Sequence, residues 1–299
     1  MSIAEKTIII PDMQKVDVPA VVGSNYKRSG YSVEVSPTPT RYSDGSFVGN
    51  KNQEQALKIL AEKGFVLPPM ALLAYLAETQ GRESPFFVDA FGKHRSDVGK
   101  YRWEPTGTRL LTPAGWENGK QDKIKGRVYY PRDVFEYHIV DGKLHLVQIA
   151  EGEKIPQRGI VPEGAIDKVT GMAAETIDDV NTPHIMHHYI DPALKETVVF
   201  FGSFQYLGER DRCLGASANY ERWNAYSDNG FRPVRGSFGV LEKLAKSYED
   251  GLREGRELGL EQGRSEGIGI GRREVLDEIY LDSTRLCVKQ FNSKYRLHD

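Results

Sequence analysis

Cysteine is nearly missing from this 299-residue chain. Its two thiols, Cys213 and Cys287, fall on opposite sides of the domain boundary drawn below, so no disulfide framework is expected to hold the fold and no cysteine zinc site can form. Long apolar runs are absent too. Ile8-Ile9-Ile10 is ended by Pro11, and nothing approaches the roughly 18 apolar residues of a membrane span. The N-terminus lacks the basic stretch and apolar core of a secretory signal, which leads to the expectation of a cytoplasmic or virion-associated protein with no signal peptide. An excess of charge of one sign is also missing. The formal net charge is −2, and a surface that tracks polyanions normally shows a marked surplus of Lys and Arg, so nucleic acid is not an expected partner. Two catalytic signatures are lacking as well: no Walker A loop and no His-Glu-x-x-His. The run Gly267 to Arg272 has the glycines of a nucleotide loop but sits in a polar helical tract rather than after a buried strand.

What is present suits a soluble globular protein of mixed α+β class. Hydrophobic residues make up 39% and charged residues 27% of the chain, enough for a substantial core. Residues 1–50 are rich in Val, Ser, Thr, Tyr, Pro and Gly, with alternations such as Tyr31-Ser32-Val33-Glu34-Val35, and read as an extended, β-rich N-terminal arm. Residues 51–239 form the expected globular domain, which opens with two helices. Ala56, Ile59 and Leu60 mark the apolar face of one from Asn52 to Lys63, with Gly64 at its end where a left-handed cap is wanted. Leu72, Leu73 and Leu76 mark a second from Met70 to Thr79. Between Pro85 and Gly126 short apolar pieces broken by Gly and Pro predict loops and short strands. The clearest hairpin runs from Val128 through Asp141-Gly142 to Ile149, because Asp-Gly supplies the positive φ values of a tight turn, and it sets His138 and His145 on neighbouring strands. Residues 151–179 are polar and turn-rich, whereas Thr197 to Phe201 is a buried-strand run.

One histidine cluster, His184-Ile185-Met186-His187-His188, carries candidate chemistry. With Thr182 as cap and Pro183 in the first helical position, His184 and His188 would share a helical face and could ligate a transition metal. A third ligand would have to come from His187 or from Asp191. The competing reading is a polar turn with one imidazole buried and hydrogen-bonded.

The segments Val199-Phe200-Phe201-Gly202-Ser203-Phe204, then Arg210 to Ser217, then Asn229-Gly230-Phe231-Arg232-Pro233-Val234-Arg235-Gly236 follow one another in an order that carries information. Together they resemble the C-terminal part of the C-type-lectin-like fold, in the branch of formylglycine-generating-enzyme-like proteins and the variable proteins of diversity-generating retroelements. The resemblance implies that the strands around Phe201 and Phe231 adjoin and hold Ala216 to Asp228 outward as a displayed loop. Within it Asn219, Tyr220, Glu221, Arg222, Trp223, Asn224, Tyr226 and Asp228 form the candidate ligand-binding set, since Tyr and Trp bury much area at low entropic cost while Asn adapts its hydrogen bonds. Arg232 is placed to reach back to a carboxylate or to loop carbonyls. Formylglycine-generating chemistry needs a cysteine pair where only Cys213 stands, and Trp223-Asn224-Ala225 lacks the carboxylate of a calcium site.

Residues 240–299 form a polar tail in which glycine recurs at every fourth position from Gly251 to Gly271. Small residues at that spacing suit close contact with another helix, and Val275, Leu276, Ile279 and Tyr280 add an apolar face, so homo-oligomerisation through this helical tail competes with a solvated linker. The leading functional expectation is a non-enzymatic ligand- or receptor-binding display protein with a protein or other macromolecular ligand and no cofactor, of viral or retroelement-diversified type. The alternatives are a metal-dependent enzyme around His184 and His188, and a virion-type structural assembly subunit.

Overall fold

The computed structural model describes residues 6–23, 26–91, 103–114, 116, 122–124, 126–179, 182–204, 213–221, 223, 225, 229–239 and 241–243. The chain divides into two compact units, Met1–Lys243 and Leu244–Asp299, and the fold that follows is that of the first. The glycine-spaced tail from Gly251 lies outside the described residues.

Strands β1 (Ile8–Ile9), β2 (Gln14–Val18), β3 (Val21–Val22), β4 (Tyr26–Arg28), β5 (Tyr31–Val35) and β6 (Arg41–Tyr42) precede helices α1 (Gln53–Ala61), α2 (Met70–Gln80) and α3 (Pro85–Phe91). Strands β7 (Trp103–Leu111), β8 (Asp122–Ile124), β9 (Arg127–Val140), β10 (Lys143–Pro156), β11 (Arg158–Pro162), β12 (His184–Ile190), β13 (Glu196–Phe204), β14 (Cys213–Tyr220), β15 (Val234–Gly236) and β16 (Leu241–Lys243) follow. The class is mixed α+β, mostly strand, with a curled half-barrel sheet. That sheet has the order β10-β9-β7-β13-β14-β12-β11, with β8 on β9. Only β12 and β14 run parallel within it.

Local sequence explains the helices well. Asn52 Oδ1 accepts from the Gln55 amide at 2.9 Å while the Asn52 amide donates to Gln55 Oε1 at 3.2 Å, a complete capping box. Past the helix Gly64 takes φ +78, a conformation that needs no Cβ. Replacing Asn52 by Ala is expected to cost about 1 kcal/mol, read as a lower denaturation midpoint with an unchanged slope. The start of α2 has no side-chain cap of its own, since Pro69 precedes it. Thr108 Oγ1 on β7 accepts from the Met70 amide at 2.8 Å instead. Gln53, at the first position of α1, is buried and bridges to β7, donating from Nε2 to the Thr106 carbonyl at 2.6 Å.

Three expectations are corrected. Pro85 to Phe91 is a helix rather than strand and loop, because Phe86, Phe87 and Phe91 all bury against the sheet, with Phe87 and Phe91 at 5.7 and 6.1 Å from the Phe201 ring. Residues 1–50 are not a separate arm. Val18, Val33, Val35 and Val48 belong to the same core as α1 and α2, and β5 pairs with β15 at Val35↔Val234, so the first and last parts of the unit close on each other. The fold also runs past Gly239, since β16 pairs with β4. Among the described residues no helix is long and apolar enough to cross a membrane.

Phe201 and Phe231 share one core but do not lie on adjoining strands. Phe201 sits on β13 between β7 and β14, whereas Phe231 accepts a hydrogen bond at its carbonyl from the Thr40 amide and leads into β15, which belongs to a separate sheet. What joins the two regions is Arg232. Its Nε donates to Glu104 Oε2 at 2.9 Å, its Nη2 to Glu104 Oε1, and its Nη1 to the Phe86 carbonyl at 3.0 Å, so both a carboxylate and a carbonyl are reached.

Candidate functional site: a glycine-floored cleft on the central sheet

Register rather than chain order builds the site. On β13 and β14 the apolar alternation is interrupted by Gly202 and Gly215, and the ladders set these two glycines opposite one another. On either side the same row continues to Trp103 on β7 and to His187 on β12, then to Ile160 on β11. One row therefore reads Trp103, Gly202, Gly215, His187, Ile160. Since side chains alternate along a strand, the row two residues on shares this face and reads Phe200, Ser217, Tyr189, Arg158. The intervening row, Glu104, Phe201, Ala216, His188, points to the opposite, core-facing side, and all four are buried.

A cleft of about 510 Å³ lies on this face, with Trp103, Gly215 and His187 of the first row among its lining residues. Trp103, His187, Tyr189, Gly215, Ser217 and Asn219 line it, with Arg158, Ile177 and Asp178 at its rim. That volume falls within the roughly 300–1,000 Å³ of small-ligand pockets. Ser217 Oγ donates to Asn219 Oδ1 at 2.7 Å inside the cleft. Asp178 is held by a two-pronged contact from Arg127, at 3.2 Å from Nη1 and 3.1 Å from Nη2.

The histidine cluster is a strand, not a helix. His184 to Ile190 forms β12 between β11 and β14, and Pro183 stands just before its first residue, where a strand tolerates proline as well as a helix does. A register shift opposite Val161 and Pro162 brings His184 and His187 onto one side, with ring centroids 5.2 Å apart and nearly perpendicular. His184 Nδ1 lies 2.9 Å from the Thr182 carbonyl. His188 turns away into the core, where Nε2 donates to the Pro156 carbonyl at 2.9 Å and burial pushes its pKa down to about 4. His184 and His188 thus do not form the pair that i, i+4 spacing implied. Among the described residues no three His, Cys, Asp or Glu side chains converge to hold a metal ion.

The expected ligand-binding stretch divides. Ala216 and Ala218 are core residues and Ser217 is nearly buried, so the segment from Ala216 is an interior strand rather than a displayed loop. Asn219 lines the cleft. Tyr220 ends β14, Glu221 is half-buried, and Trp223 is 58% exposed. Arg222, Asn224, Tyr226 and Asp228 lie outside the described residues. Trp103, Arg158, Tyr189 and Ser217 had no sequence signal of their own. Gly202 stood only within a segment that carries the resemblance, and the ladder sets it opposite Gly215, which lines the cleft.

The hairpin histidines are directly opposed, His138 to His145. His138 packs edge-on against Phe238 and its Nε2 is 3.5 Å from Glu136 Oε2, beside the buried Arg28 to Glu136 ion pair. This cluster stands on other strands from the cleft.

No family model matches the chain, and no curated protein and no solved structure matches it either.

Proposed function

We propose that this chain is a ligand- or receptor-binding protein whose recognition surface is the cleft over β7, β13, β14 and β12, with Asn219 in its lining and Trp223 exposed a few residues further along the chain. The observation that carries this reading is the cleft itself, with Gly215 among its lining residues. Gly215 brings no side chain to that point of the row, and Trp103, Tyr189, Ser217 and Asn219 supply aromatic and hydrogen-bonding groups around the cleft. Concave sites of this kind combine apolar walls for affinity with a few polar groups for orientation. Trp223 supports the reading as an exposed aromatic three residues past the end of β14, the residue type that dominates binding energy in interfaces. The resemblance of Val199 to Gly236 to variable display proteins points the same way.

The test is a thermal-shift screen of the full chain against a small-molecule and glycan library. A ligand present at about 100 times its Kd stabilises by about 2.7 kcal/mol, which moves the melting midpoint by several degrees. Trp103→Ala and Gly215→Leu should each remove that shift, the first by deleting a wall and the second by filling the floor. A ligand that shifts the wild type and both variants equally would place binding elsewhere and overturn the proposal.

A further inference from the structure

The cleft's polar groups are directional, and this narrows the ligand. Ser217 has one hydroxyl hydrogen, and it is spent on Asn219 Oδ1 at 2.7 Å. Ser217 then meets a ligand only as an acceptor, and the Asn219 amide meets it through Nδ2 as a donor. An acceptor beside a donor complements a C=O adjacent to an N–H. The floor adds a shape requirement. Trp103 and His187 are separated by three interstrand steps, about 14 Å between backbones at roughly 4.8 Å per step, and the two strands between them carry glycine at this row. The Gly215 peptide plane, in a cleft that also holds an indole and a phenol, accepts a flat ring face-on, as stacked π systems do.

We infer that the cleft binds a planar heterocycle with a lactam edge, the chemistry of an oxo-pyrimidine or oxo-purine base carried on a small molecule. This rests on the binding role proposed for the same cleft. The ring carbonyl accepts from Asn219 Nδ2, the ring N–H donates to Ser217 Oγ, and the ring lies over Gly215 beside Trp103. Arg158 stands at the rim as a cation, while the rim carboxylate Asp178 is already engaged by Arg127, so a phosphate on the ligand meets net positive charge there.

Isothermal titration of the full chain with uridine, inosine, N3-methyluridine, cytidine and methyl galactoside decides the matter. Uridine and inosine should bind. N3-methyluridine, which has no ring N–H, and cytidine, whose edge reverses donor and acceptor, should bind about tenfold or more weakly, because each leaves a buried polar group unmatched. Asn219→Asp turns the donor into an acceptor and should weaken uridine by a similar factor without lowering the melting midpoint. Uridine 5′-monophosphate should bind more tightly than uridine at low salt, with the advantage lost in Arg158→Ala. Equal binding of all five ligands, or an Asn219→Asp variant that holds uridine unchanged, would overturn the inference. Binding of the galactoside alone would also overturn it while leaving the cleft a binding site. A library ligand that depends on Trp103 and Gly215 but lacks a lactam edge would do the same, so failure here is distinct from failure of the binding role.

Discussion

Alanine at position 232 is expected to remove about 3–5 kcal/mol of folding stability, about a fifth or more of the roughly 5–15 kcal/mol that a folded domain usually possesses. The guanidinium is wholly buried, as is Glu104. Deleting one partner removes the guanidinium donors that hold the Glu104 carboxylate, in a site lined by Phe86, Phe87 and Phe91. The Phe86 carbonyl loses a donor at 3.0 Å, and the ring of Phe86 loses a cation centred 4.0 Å from it. Geometry adds to the cost, because Arg232 lies between the Phe231 contact to Thr40 and the β15 pairing with β5, and so ties the N-terminal strands to β7. Chemical denaturation of the full chain measures the effect. A loss below about 1 kcal/mol, the range of a surface pair, would show that the contact contributes little. A second variant separates charge from packing: Arg232→Met combined with Glu104→Leu should recover most of the loss, since replacing a buried ion pair by apolar groups of similar volume is often neutral.

Legibility in the sequence tracked the range of the interactions involved. Helix α1 depends on Asn52, Gln55 and Gly64, all within one short stretch, and each is visible as a residue type. The β9 and β10 hairpin depends on Asp141 and Gly142, whose φ values of +51 and +72 meet the turn's demand locally. Arg232 was legible for a different reason, because an arginine inside an apolar closing segment must find an acceptor, although nothing local identified Glu104. The errors share one cause. Thr182-Pro183 is as compatible with the start of a strand as with that of a helix, and the choice was made by pairing to residues 158–162 and 213–220. Pro85 to Phe91 is too short for its periodicity to separate helix from strand, and its three aromatics needed the sheet as partner. The N-terminal strands were misjudged because their apolar residues are few, yet Val18, Val33 and Val35 each face the common core. The cleft was the least legible element. Trp103, Gly202, Gly215 and His187 are scattered over more than one hundred positions and become neighbours only through three ladder registers. A single-residue slip in any of them would carry that strand's contribution to the other face.

His188 gives stability an acid limit that the rest of the strand does not share. An unfolded chain titrates this imidazole near 6.5, whereas in the fold it is held neutral down to about 4, mainly because burial penalises the charged form. Between these two values the unfolded chain binds more protons than the native one, so stability rises with pH across that window and is lost as pH falls through it. A difference of this size corresponds to roughly 3 kcal/mol, fully present above 6.5 and gone below about 4. The Pro156 carbonyl, accepting from Nε2 at 2.9 Å, favours the charged ring and offsets only part of the effect of burial. Across the ladders its neighbours are Ala216 and Gly159, which offer no counter-charge for a protonated ring. His188→Gln is the informative variant, because a glutamine amide can still donate to that carbonyl but cannot titrate. Denaturation at a series of pH values should show the wild type losing roughly 3 kcal/mol more than the variant between neutral pH and pH 4. Parallel stability curves would mean that the imidazole reaches water and takes up its proton in the folded state, which is incompatible with a side chain fixed on the core face of β12.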